Sequence, residues 1–121
     1  MSVPAGARAV FAALGTVRAC LKTRGLGVTG GPVFPPDPQI PDAPAGELVV
    51  GAAGGAAFVS FYASRDRARR LEPTVVRTAR QSGGAAERSG SVTVVWVHQP
   101  PPDLLRDVRA CAFPTGLRLG G

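Results

Sequence analysis

Apolar residues recur at helical spacing early in the chain. Val10, Leu14, Val17 and Leu21 form one stripe with Phe11 beside it, while Arg8, Arg18 and Lys22 point elsewhere. This pattern predicts an amphipathic helix over residues 5–24. Lys22 and Arg24 suit the negative end of its dipole, and Gly25 is a natural stop. The period then changes. Glu47 to Ala53 and Ala56 to Tyr62 read as strands, with Gly54-Gly55 supplying a two-residue hairpin turn. Ala57, Val59 and Phe61 share one face of the second strand, and Phe58, Ser60 and Tyr62 share the other. Ser64 is a good N-cap for a helical segment from Arg65 to Gln81, with Ala68, Leu71, Val75 and Ala79 as its buried stripe. Pro73 inside it predicts a kink or a restart, because its ring removes an internal hydrogen bond. Ser91 to His98 is apolar on both faces and reads as an interior strand. After Pro100-Pro101-Pro102 a last helix carries Leu104, Leu105, Val108 and Cys111 toward the core, and Pro114 stops it.

The expected order is helix, proline-rich loop, strand, strand, helix, strand, helix. A hairpin makes the first two strands antiparallel, and a helical crossover would make the second parallel to the third. Placing the first strand between the other two satisfies both. The expectation is therefore an α+β fold: a two-layer, three-stranded sheet of split β-α-β, ferredoxin-like type, with the helices on one face. One small domain over residues 1–113 would contain the loop 26–46, leaving 114–121 as a flexible tail. In that loop Pro32, Pro35, Pro38, Pro41 and Pro44 recur every third residue, the period of a polyproline II edge. The interior charges there are Asp37 and Asp42 rather than the basic flank common in proline-rich ligands, which favours a stiff connector.

Composition adds a size and a charge. The chain has 121 residues, 45% of them hydrophobic and 18% charged, which is globular in character. No apolar run approaches the ~20 residues of a membrane span. The net charge is +6, and Lys22 is the only Lys among 14 basic residues. Such a skew toward Arg, with abundant Ala, Gly, Pro and Val, is what a GC-rich coding sequence produces. It still favours acidic partners, nucleic acid among them. Arg8 followed by Ala9 to Leu14 imitates the start of a signal peptide, but Gly15, Thr16 and Arg18 interrupt it. As written the chain reads as cytoplasmic; the alternative is export or membrane anchoring from a start that lies upstream.

Candidate chemistry is sparse. His98 is the only imidazole, Asp103 is merely near it in sequence, and no triad or metal set assembles by spacing. The expectation is a protein without catalytic residues, metal or cofactor, hence not an enzyme. Gly51 to Gly55 joins two strands, whereas phosphate-binding loops join a strand to a helix. Trp96, flanked by valines, reads first as a core or half-buried aromatic; a base-stacking platform of Phe58, Tyr62 and Trp96 on the open sheet face is the minor alternative. The stronger signal is a run of arginines in the second helix, where Arg65, Arg67, Arg69, Arg70, Arg77 and Arg80 are opposed by Asp66 and Glu72. Of these, Arg69, Arg70, Arg77 and Arg80 are the candidate nucleic-acid contacts; a solvated helix surface is the plainer alternative. Finally, Val17-Arg18-Ala19-Cys20 and Val108-Arg109-Ala110-Cys111 repeat the same four residues near the ends of the first and last helices. If those ends pack together, Cys20 and Cys111 come within bridging distance; otherwise they act as two small apolar residues.

Cys20-Leu21-Lys22-Thr23-Arg24-Gly25 resembles the opening of small, uncharacterised, Cys-flanked α+β domains of high-GC bacteria. The strand Val59 to Tyr62, the Arg/Ala-rich helix, the strand Val92 to Val97, the Pro-led helix and the closing Cys111 extend the resemblance over residues 17–113. It implies no known activity, but it implies a location outside the membrane behind an anchor, where the two cysteines can pair. As written, the chain is expected to depart from the pattern in lacking the anchor, in a loop richer in proline, and in Ala112 after the closing Cys. The function these observations point to is a small non-enzymatic binding domain with a partner still unknown, a protein being the first expectation. The alternative is nucleic-acid binding through the arginine face.

Overall fold

A computed structural model describes residues 5–32, 44–52 and 55–114, with no account of the side chains of 5–7. Its elements are α1 (Ala5–Thr23), β1 (Gly27–Pro32), β2 (Gly46–Ala52), β3 (Gly55–Phe61), α2 (Arg65–Gln81), β4 (Ala85–Ser89), β5 (Val92–Trp96) and α3 (Pro102–Ala112). The helix boundaries follow their caps. After α1, Leu26 N–H donates to Leu21 and Gly25 N–H to Lys22, with Gly25 at φ +81, a left-handed stop that glycine adopts without steric cost. Arg67 N–H donates to Ser64 Oγ at 3.1 Å and caps the start of α2. That helix runs as one element past the exposed Pro73, so the expected restart is absent.

The expected three-stranded sheet is wrong. The strands form one five-stranded sheet in the order β1-β2-β3-β5-β4, with every neighbouring pair antiparallel. Two edge strands account for the difference. β1 reads Gly-Val-Thr-Gly-Gly-Pro and β4 reads Ala-Ala-Glu-Arg-Ser, and neither shows the apolar alternation by which a strand is recognised. The crossover rule then applies to a different pair. The strand reached through α2 is β4, which runs in the same direction as β3; a tight turn at Gly90 sends β5 back between them, antiparallel to both. The hairpin also closes one residue early: Ala52 pairs with Gly55, so Gly55 belongs to a strand, and residues 53–54 lie outside the described residues. Of the loop 26–46, residues 27–32 are strand β1; the proline repeat from 33 to 43 and the tail beyond Pro114 lie outside the described residues.

Helices cover both faces of the sheet, contrary to the one-sided expectation. Cross-strand partners share a face, which puts Leu48, Val50, Ala57, Val59, Val94 and Trp96 on the inner one. All six are buried there against Val10, Leu14, Val17 and Leu21 of α1 and Leu104, Val108 and Cys111 of α3. The outer face carries Val49, Phe58, Ser60, Thr93, Val95 and Arg88. α2 packs here through Ala68 and Ala79, and its Glu72 lies 3.4 Å from Arg88 of β4.

Candidate functional site

α2 carries six arginines and two acidic residues in seventeen positions, and packing sorts them. Ala68 and Ala79 face the sheet. At 100° per residue Arg70 and Arg77 fall opposite that line, with Arg69 and Arg80 next to them. All four are exposed, while Arg67 is half-buried. The span from Arg69 to Arg80 is about 16 Å along the axis, since each residue rises 1.5 Å. The structure thus brings the four candidate residues onto one side of one helix. Among the described residues none of the four has an ion-pair or hydrogen-bond partner.

The other arginines behave differently. Arg24 donates to Asp107 at 2.8 Å, linking the end of α1 to α3. Arg109 donates through Nε to Glu87 of β4 at 3.0 Å and through a second nitrogen to the same carboxylate, while its guanidinium stands 5.8 Å from the Trp96 ring centre. The hydrogen bonds to Glu87 hold Arg109 above its ordinary pKa. Arg106 sits between Asp103 and Asp107, 3.5 Å from each. Glu72, the second acid of α2, is taken by Arg88, which leaves Asp66 as the only acidic residue of α2 beside the arginine face. Glu72 and Glu87 tie helices to the sheet, Asp103 and Asp107 pair with arginines at the inner helices, and α2's outer side keeps a net positive charge.

The cysteines are joined. Cys20 and Cys111 form a disulfide with a Cα–Cα distance of 5.6 Å across a sequence separation of 91. Arg24 and Asp107 lie one helical turn from Cys20 and Cys111, so a covalent and an ionic link tie the same two helix ends.

The remaining candidates scatter. His98 is exposed in the bend after β5, and Asp103 pairs with Arg106 rather than with it. Among the described residues no group of three or more His, Cys, Asp or Glu side chains is placed to hold a metal ion, and no helix is long and apolar enough to cross a membrane. The aromatic platform does not form. Trp96 is 1% exposed on the inner face, Tyr62 is buried, and Phe58 alone reaches the open part of the outer face.

Sequence reasoning missed what lies beside α2. An apolar groove of about 340 Å3 runs between α2 and the part of the outer face that no described element covers, lined by Phe58, Val95 and Val97 below and by Thr74, Val75 and Thr78 along the helix. The one legible sign was Phe58 on the face opposite Val59. Without β1 and β4, nothing showed that this face would be half covered. Comparison of the chain with protein-family models, curated proteins and solved structures finds no match.

Proposed function

We propose that this chain is a non-catalytic binding domain that engages an acidic macromolecular partner through the outer side of α2. The observation that carries the reading is the contrast between Arg69, Arg70, Arg77 and Arg80, exposed and unpaired among the described residues, and Arg24, Arg88, Arg106 and Arg109, each held by a carboxylate. Unpaired surface cations in a row lose little on meeting an anionic surface and release its counterions. The reading also places the domain in an oxidising compartment, as its resemblance to Cys-flanked domains implies, because a structural disulfide persists there. Nucleic acid is the second reading, favoured by the roughly 16 Å arginine row, which spans several phosphates. Heparin chromatography in a salt gradient tests the first claim. Replacing Arg70, Arg77 and Arg80 together by Ala is expected to move elution to clearly lower salt. Elution at the parent's position would show the arginine side to be ordinary surface.

A further inference from the structure

Among the described residues, the inner face of the sheet holds two helices and the outer face holds one. Beside α2, where a second helix would lie, Phe58, Val95 and Val97 floor the groove and Thr74, Val75 and Thr78 form its wall. On the helix surface, residues three and four apart are neighbours, so Thr74 is flanked on the solvent side by Arg70 and Arg77. Arg70 and Arg77, exposed and without an ion-pair partner among the described residues, therefore sit on the helix next to an apolar groove.

We propose that this groove docks an acidic amphipathic helix of a partner polypeptide, with its apolar side on Phe58, Val95 and Val97 and its carboxylates against Arg70 and Arg77. The proposal rests on the anion-binding reading of α2 given above. Charge decides against a second copy of this chain: groove-to-groove pairing would press two sets of Arg70 and Arg77 together in a molecule of net charge +6. Bases need flat rings to stack on, and the groove offers one, Phe58, because Trp96 and Tyr62 are buried. An acyl chain is best held in an enclosing pocket, and this groove is open to solvent along one side. A helix about 10 Å wide buries one stripe and keeps its opposite side wet. The inner face already shows the arrangement: α1 and α3 share the sheet, and Arg109 of α3 reaches a carboxylate on it.

The test uses the oxidised full chain and fluorescence anisotropy with labelled synthetic peptides. One is a helix of about five turns with Leu at helical spacing and Glu elsewhere; a second has the same composition with the leucines scattered around the helix; a third is polyglutamate. Single-stranded RNA and anionic phospholipid vesicles are the competing probes. The expected result is binding of the amphipathic peptide about tenfold or more tighter than the scattered one, a difference of about 1.4 kcal/mol. Thr78→Trp, at an exposed position on the groove wall, is expected to abolish that difference while leaving heparin retention as in the parent. Arg70→Ala with Arg77→Ala is expected to weaken all three peptides. Equal binding of the amphipathic and scattered peptides, or a difference that survives Thr78→Trp, would overturn the groove proposal while the anion-binding reading stands. RNA or vesicles that displace the amphipathic peptide, with their own binding lost in Thr78→Trp, would assign the groove to a different occupant and overturn it too. A parent protein that heparin does not retain would remove the anion-binding reading and this proposal together.

Discussion

Asp107 shows how single side chains hold the inner helices in place. Arg24 donates a hydrogen bond to it and Arg106 lies beside it, and together they hold its carboxyl below the ordinary value of 3.8 despite partial burial. A folded-state pKa below the unfolded one means that the charged pair stabilises the protein above the unfolded value. That contribution disappears as pH falls through the folded value. Asp107→Asn is therefore expected to lower the melting temperature near neutral pH, and the gap from the parent is expected to close as pH falls below about 4. A gap that stays constant from neutral pH into acid would show that the carboxylate's charge contributes nothing. Much at this scale was legible in the sequence. The stripe Val10, Leu14, Val17, Leu21 is buried as its spacing implies, and Ser64 caps α2. Gly30 was not legible: its φ of +99 and the closeness of the Glu47 carbonyl become meaningful only once β1 is paired with β2.

At the scale of elements, the repeated Val-Arg-Ala-Cys has a structural sense in both copies. Val17 and Val108 enter the core, Arg18 donates to the Gly30 carbonyl on edge strand β1, and Arg109 reaches Glu87 on edge strand β4. Cys20 and Cys111 then close the space between the helices. A crosslink between residues 91 apart removes chain entropy from the unfolded state, worth at most about 4 to 5 kcal/mol by the loop-closure argument. The oxidised protein is expected to melt well above both the reduced protein and a Cys20→Ser, Cys111→Ser variant, and non-reduced digests are expected to contain the Cys20–Cys111 peptide pair by mass spectrometry. Two alkylatable thiols in folded, mildly oxidised protein would contradict the link and the oxidising compartment with it. The long elements were readable because packing imposes their periodicity. The edge strands were not, because an edge strand with one neighbour needs few apolar side chains and β1 has three glycines and a proline.

The whole molecule is a sheet with α1 and α3 on one side and α2 on the other, and its charge follows that division. On the inner side Arg24, Arg106 and Arg109 are neutralised by Asp103, Asp107 and Glu87; on the outer side α2 presents unpaired arginines next to an open groove. Missing β1 and β4 left a sheet too narrow to have a half-covered face, so the arginines were legible as a cluster and the groove beside them was not. The most direct measurement of the binding claim is backbone amide NMR of the oxidised chain during titration with polyglutamate. The account predicts shift changes concentrated in residues 65–81, reduced when Arg70, Arg77 and Arg80 are Ala. Changes centred instead on the exposed positions of α1 and α3, with α2 silent, would contradict it.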